Sequence, residues 1–381
     1  MQTLRNITIK GFKSIRDQTL ELGRLNVFIG GNGAGKSNLI GAFRFLHEVI
    51  NQRLEKYVVT RGGADNILHF GRKTTSQIKF HLEFEDATGS SSFDLRIDGT
   101  ADSGLVIALE FPQAIRNDAT TWYSQPVGYV TRDDGSVETG PALNLMTHYS
   151  RESKLLEDER DEARQVAQAL VNCRVYHFHD TSDTAAVKGI CDVDDNRLLR
   201  PHAENLAAIL YYLQEKKCDH FALIEDTLKQ IAPFFGGFQL SPSRLNESKI
   251  RLEWREKGHD GYFNATVLSD GTLRFICLAT LLLQPDLPGL VLLDEPELGL
   301  HPAAITLLAE LLVSASQRTQ ILVATQSVTL INQLMPEQVW TVDREDEQSA
   351  FSKLHQDDLS AWLGEFSLGE LWEKNLIRAR P

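Results

Sequence analysis

The sequence predicts an α/β fold: a mixed, largely parallel sheet flanked by helices, with an antiparallel β lobe and a short helical insertion. Three observations lead there. From Phe238 onward strand-like and helix-like segments alternate, which calls for parallel strands joined by crossover helices. A glycine-rich turn, GGNGAGKS at residues 30–37, lies between an apolar strand and an amphipathic helix. Residues 76–130 alternate with period two, as in an antiparallel sheet with one buried face.

Each element has its own signal. LRNITIKGF and DQTLELGRLNVFIG read as strands from their β-branched residues and partial alternation. A helix is expected over roughly Ser37–Val49, with Leu39, Ile40, Phe43, Leu46 and Ile50 at helical spacing. SQIKFHLEFED alternates through Ile78, Phe80, Leu82 and Phe84, and FDLRI, GLVIALEF and TWYSQPVGYV continue the pattern. RESKLLEDERDEARQVAQALVN is charged and lacks Gly and Pro, so it reads as an amphipathic helix. After a strand in VYHFHD, two more helices follow in AENLAAILYYLQEKK and DHFALIEDTLKQIA. Then come KIRLEWRE, YFNATVLS, a helix from 271, GLVLLDE, a helix from 303, QILVATQ, a further helix and QVWTVDRE. The expected division is 1–149 for the N-terminal lobe, 150–235 for a helical insertion and 236–381 for the C-terminal lobe. No linker separates them, so they form one composite domain.

Composition excludes several classes. With 42% hydrophobic and 24% charged residues the chain has an ordinary globular balance. No apolar run reaches the roughly 18–20 residues that span a bilayer, and the start has no apolar signal region. Cys173, Cys191, Cys218 and Cys277 are scattered without a CxxC pair, which argues against a zinc site or disulfides and for a reducing, cytoplasmic setting. Residues 1–80 carry 13 Lys/Arg against 5 Asp/Glu, whereas the remainder carries 26 against 47. A basic first segment attracts phosphates; a net charge of −13 argues against tight, non-specific DNA binding.

Four motifs carry chemistry. GGNGAGKS fits GxxxxGK[ST] in the strand–turn–helix context that motif requires. Its glycines let the backbone approach phosphates closely, and N–H groups at a helix start supply donors. Gly30, Gly31, Asn32, Gly33, Ala34, Gly35, Lys36, Ser37 and Asn38 are therefore expected to bind ATP. Lys36 would reach the β- and γ-phosphates, and Ser37 would ligate Mg²⁺. In GLVLLDEPELGLHP an apolar strand ends in Asp294, at the sheet edge where ligands bind, so Asp294 suits Mg²⁺. Glu295 next to it is placed to polarise an attacking water. In LSDGTLRF, Ser269, Asp270 and Gly271 open a helix, a second anion-binding terminus. Two such termini suggest that two subunits sandwich the nucleotide. ILVATQS, finally, is an apolar strand that delivers Gln326 to the same edge.

GGNGAGKSN, LSDGT, LLDEPELGLHP and ATQS, in that order, resemble the ABC-type ATPase heads of the RecF, structural-maintenance-of-chromosomes and OLD-nuclease group. The likeness is nearest to stand-alone RecF/OLD-like bacterial ATPases, many encoded beside a nuclease-like or other effector in anti-phage systems. The opening IKGFKSIRDQTLELGRLNVFIGGNGAGKSNLI, and FHDTS, NLAAIL and SLGELW, extend it over nearly the whole chain. It implies an ATP- and Mg²⁺-dependent ATPase that dimerises head to head around ATP and controls a separate effector such as a nuclease or toxin. The alternative is a DNA-repair or chromosome-processing ATPase that binds DNA when ATP is bound. The chain departs from the group in lacking a long coiled-coil arm, a zinc-hook cysteine pair and any Toprim-like nuclease segment. Related heads usually place a His where this chain has Gln326; an amide hydrogen-bonds but does not titrate near neutral pH. Gln326 is expected to sense the γ-phosphate, or to place the water. His179 and Asp180 are candidates for the loop that senses Mg²⁺ and water, with helix capping as the competing role for Asp180. Arg61 is either a phosphate or partner contact or a surface-turn residue.

Overall fold

The computed structural model describes residues 2–86, 89–116, 119–121, 130–131, 137–138 and 168–377. Two six-stranded sheets organise it. The first is antiparallel and contains β1 (Thr3–Phe12), β2 (Ile15–Glu21), β4 (Gln77–Asp86), β5 (Gly89–Gly99), β6 (Leu105–Arg116) and β7 (Ala119–Thr121), in the order β2-β1-β4-β5-β6-β7. Its register follows from the period-two pattern. Ile7 faces Leu82, and Ile9 faces Phe80. Phe80 in turn faces Leu95, and Ile78 faces Ile97, so one continuous face is apolar and buried.

The second sheet is the mixed one. Its strands are β3 (Leu25–Ile29), β8 (Cys173–Tyr176), β9 (Leu290–Asp294), β10 (Gln320–Thr325), β11 (Val339–Glu345) and β12 (Gln348–Lys353). They lie in the order β8-β9-β10-β3-β11-β12, all parallel except the last pair. Both faces are covered, which explains why β3 and β10 are buried at every position. Alternate residues feed two separate cores. Phe28, Leu290, Leu292, Leu322 and Ala324 pack toward the antiparallel sheet and helix α1 (Lys36–Ile50). Val27, Ile29, Val291, Leu293, Ile321 and Val323 pack on the other side. There they meet helices α2 (Leu206–Lys216), α3 (Cys218–Ile231), α4 (Asp270–Leu283) and α5 (Pro302–Ser316).

Helix α1 fills the space between the sheets, with the Phe45 ring 5.5 Å from Phe12 and 6.0 Å from Phe80. Eight of its residues are buried, yet its N-cap, Gly35, makes no side-chain capping bond. At about 1.5–3 kcal/mol for each large apolar side chain buried, packing alone holds this helix. Asn38 and Leu39 N–H donate to Gly35 O, which leaves the N–H groups of Lys36 and Ser37 for another acceptor.

Several elements differ from expectation. DQTLELGRLNVFIG is two strands in different sheets, broken at Gly23, whose N–H donates to Asn26 Oδ1 at 2.8 Å. KIRLEWRE and YFNATVLS are not part of the parallel sheet. Lys249–Arg251 pairs with Ile190–Asp192, and Glu253–Glu256 pairs with Phe235–Phe238 and Tyr262–Asn264, all antiparallel. Leu252 between them is buried and belongs to neither strand, so the run is divided between two small sheets. VYHFHD is strand only to Tyr176, which frees His177 and His179. The two helices expected over 203–232 are present as α2 and α3. The charged helix expected over 151–172 lies outside the described residues up to 167; residues 168–171 are helical. Most of TWYSQPVGYV also lies outside them. Among the described residues no helix is long and apolar enough to cross a membrane, and burial pushes the Cys173 and Cys277 thiols up to about 12, so neither offers a thiolate.

Candidate functional site

Three neighbouring parallel strands, β9, β10 and β3, end at one edge, and the glycine-rich loop springs from the last of them. Gly33 and Gly35 have φ of +79° and +119°, in the left-handed region that a side chain disfavours. At Gly35 a Cβ would also run into the Ser349 hydroxyl. That hydroxyl comes from β12 and donates to Ala34 O at 2.6 Å; Ser14 Oγ lies 2.7 Å from it and accepts from Asn38 Nδ2 at 2.7 Å. The loop is braced from β12 and from the β1–β2 turn, and within it only the Ala34 N–H, which donates to Gly31 O at 3.3 Å, has a main-chain acceptor among the described residues. Lys36, almost fully buried, folds back and donates to Gly30 O at 2.5 Å and Gly31 O at 3.0 Å. Burial lowers its pKa, opposed by Glu295, Asp294 and Glu297. An ammonium held by carbonyls beside three carboxylates is ready to exchange them for phosphate oxygens.

Ser37 Oγ lies 3.3 Å from Asp294 Oδ1 at the end of β9. The Asp294 carboxyl is pushed above the usual carboxylate range, first by burial and then by Glu295, with the Ser37 bond acting against this. Two hard oxygen donors in an environment that penalises bare negative charge fit Mg²⁺, which takes few protein ligands and keeps its waters. Glu295 follows with φ of +44°, an unusual backbone state for a side-chain-bearing residue and one that costs on the order of 1 kcal/mol. Its N–H donates to Ala324 O at 2.7 Å, so the turn is anchored to β10.

Gln326 joins the pieces. Its Nε2 donates to Glu295 Oε1 at 2.7 Å and to Asn32 Oδ1 at 2.8 Å. Because a carboxylate only accepts, the NH₂ end must face Glu295, which fixes the orientation of the amide. One neutral side chain thus bridges the loop and the acidic turn.

Ser269, Asp270 and Gly271 stand apart from these groups. Ser269 caps α4, accepting from Thr272 N at 3.2 Å. No hydrogen bond or ion pair links the three to the glycine-rich loop among the described residues. Gly271 instead abuts the loop after Glu295: a Cβ there would sit 2.6 Å from Gly299 O. His179 Nε2 lies 2.7 Å from Asp294 O. Asp180 accepts from Ser182 N and Oγ, a local turn bond that also holds its carboxyl below the usual range. Arg61 stacks over Tyr57 at 5.3 Å on the C-terminal side of the helix Leu54–Thr60.

With this geometry, comparison with known proteins is informative. The family described as "AAA domain, putative AbiEii toxin, Type IV TA system" matches residues 25–332, which is most of the chain. The chain belongs to that family. A crystal structure of an Smc head bound to the C-winged helix domain of ScpA matches with a TM-score of 0.56 at 16% identity, over 93% of this chain and 99% of that one. An Smc head from Pyrococcus furiosus with an extended coiled coil, bound to the C-terminal domain of ScpA, gives 0.51 at 16% identity over 96% and 99%. At such identity these structures show the fold alone: an SMC-head-like α/β fold. Urease accessory protein 2 of Cryptococcus neoformans var. grubii is 36% identical over 92 residues, 23% of this chain and 7% of that protein. The chain therefore spans a small part of that curated relative.

In this AAA domain, three buried groups at the site carry no clear mark in the sequence. Glu297 Oε1 accepts from Thr325 Oγ1 at 2.5 Å and from Gln326 N at 3.1 Å, while burial pushes its carboxyl above the usual range. Arg274 on α4 donates to Phe178 O at 2.9 Å and His179 O at 3.2 Å and also to Leu298 O, joining the helix after Ser269 to both sides of Asp294. Ser349 braces the loop from more than 300 residues away. The only signal for Arg274 is a charge inside an apolar helix, and for Glu297 an acid inside a motif already singled out.

Proposed function

We propose that this AAA-family domain binds and hydrolyses ATP, and that two copies close around ATP to control a partner effector, such as a nuclease or toxin, in bacterial anti-phage defence. The observation that carries the reading is the meeting of Ser37, Asp294, Glu295 and Gln326 at the ends of three adjacent parallel strands. Free N–H groups of the loop and of the α1 N-terminus take the phosphates, and Lys36 leaves the Gly30 and Gly31 carbonyls for the β- and γ-oxygens. Ser37 and Asp294 hold Mg²⁺, which when bound neutralises charge on the phosphate oxygens. Glu295 accepts a proton from the water that attacks the γ-phosphorus in line; the bond to the β-phosphate oxygen breaks and ADP leaves. Gln326 reports the γ-phosphate, whose oxygens compete with Asn32 and Glu295 for its amide.

Dimerisation rests on Ser269, Asp270 and Gly271. They open a capped, exposed helix start with no hydrogen bond or ion pair to their own loop among the described residues, as expected if they complete the site of a second copy. The family's link to a toxin and a type IV toxin–antitoxin system supports an effector as the output. The test is the solution mass of Glu295→Gln with and without ATP. A dimer with ATP, lost on adding Ser269→Arg while single-site ATP binding persists, is expected. A monomer under both conditions refutes the sandwich.

A second reading, a DNA-processing ATPase, is favoured by the closeness of Lys13, Arg44 and Arg61: after burial, the larger cause, Arg61 lowers the pKa of both Lys13 and Arg44, and Arg44 lowers that of Lys13. Duplex affinity that appears only with ATP and falls steeply with salt would replace the effector reading.

A further inference from the structure

We infer that Glu297 is a positioning residue for hydrolysis, clamping the main chain of Gln326 so that its amide spans Glu295 and Asn32; this rests on the role given to Gln326 above. The geometry is a two-point hold from a single loop. Glu295 takes the Gln326 side chain, and Glu297, two residues on, takes the Gln326 N–H at 3.1 Å. The same Glu297 oxygen accepts from Thr325, which is fully buried and whose Oγ1 accepts the Ser327 N–H at 3.0 Å. Residues 325, 326 and 327 are thus all fixed through one carboxylate. Without it, the Gln326 main chain loses that hold and its amide is left to the bonds with Glu295 and Asn32 alone, and a misplaced reacting geometry is costly in rate.

A second observation concerns the other oxygen of the same carboxylate. Glu297 Oε2 is buried and has no hydrogen-bond partner among the described residues. An orphaned, buried carboxylate oxygen works against stability, and a positioning role for the other oxygen accounts for its retention. Raised pKa from burial agrees with the same picture.

The test compares kcat and KM for ATP in wild type, Glu297→Leu, Glu297→Gln, Gln326→Ala and the Gln326→Ala/Glu297→Leu double variant. Glu297→Leu is expected to lower kcat on the order of tenfold with KM little changed, since the interaction serves the transition state. Glu297→Gln, which keeps the Oε1 acceptor, restores most of that loss. In the Gln326→Ala background Glu297→Leu costs nothing further, because its effect runs through Gln326. Multiplying losses in the double variant, or a Gln variant as slow as the Leu variant, overturn the inference. Should Glu297→Leu not fold, Thr325→Val, which breaks the same net, takes its place; a wild-type kcat there also overturns it. Gln326→Ala at the wild-type rate refutes instead the role of Gln326 on which the inference stands.

Discussion

Replacing Glu295 by Gln separates chemistry from architecture at this site. The substitution keeps an Oε1 acceptor for the Gln326 amide at 2.7 Å, so the bridge to Asn32 survives. It removes the carboxylate that would take the proton of the attacking water. General-base assistance contributes about 10²- to 10⁴-fold, which at 1.36 kcal/mol per tenfold is about 3–5 kcal/mol of barrier. Binding should move the other way. Glu295 is one of the groups that push the Asp294 carboxyl up, so its neutralisation leaves Asp294 readier to be a carboxylate and hold Mg²⁺. The expected outcome in a phosphate-release assay is a kcat at least about 10²-fold below wild type, with ATP affinity by equilibrium titration equal or tighter. A variant that turns over within a factor of about three of wild type would place the base elsewhere. One that loses binding and turnover together would show that Glu295 holds the nucleotide.

Lys36→Ala should abolish measurable ATP binding by calorimetry while leaving the fold intact by circular dichroism. For Asp294→Asn the sign follows from the raised pKa. The folded apo state binds its proton more tightly than the unfolded chain, so this carboxyl costs stability as pH rises from the ordinary carboxylate range through the raised value. The variant should therefore melt higher than wild type in thermal denaturation without nucleotide near neutral pH, and lose the stabilisation that Mg²⁺-ATP gives wild type. Arg274→Met should destabilise by on the order of 3 kcal/mol, since three backbone carbonyls lose a charged donor at a buried position; urea unfolding measures it.

The sequence made legible whatever is encoded at short range. The GGNGAGKS spacing alone brings Lys36, Ser37 and the free N–H groups of α1 together, because loop and helix are contiguous. The apolar runs of β3, β9 and β10 announced buried parallel strands, and the carboxylates at 294 and 295 fell at the strand end as expected. Contacts between segments distant in sequence were less accessible. Ser349 and Ser14 meet Asn38 only because β12 lies beside β11 and the β1–β2 turn, and neither serine carries a motif. Nothing in the sequence distinguishes Glu297 from any other acid of that turn; its role comes from β10, which sets Thr325 and Gln326 against it. KIRLEWRE misled for another reason. Its alternation is real, but at the buried Leu252 the chain passes from one small antiparallel sheet to another, and periodicity does not reveal a partner. Gln326 was placed at the site edge from sequence, whereas its simultaneous hold on Glu295 and Asn32 needed three dimensions.

The central claim is that the loop carrying Lys36 and the strand ends carrying Asp294, Glu295 and Gln326 form one ATP-cleaving site. Single-turnover cleavage of γ-labelled ATP, by the purified chain with Mg²⁺ beside its Lys36→Ala and Glu295→Gln variants, tests it most directly. The account predicts phosphate release by wild type, bound but uncleaved ATP in Glu295→Gln, and neither binding nor release in Lys36→Ala. Equal release by all three proteins would contradict it.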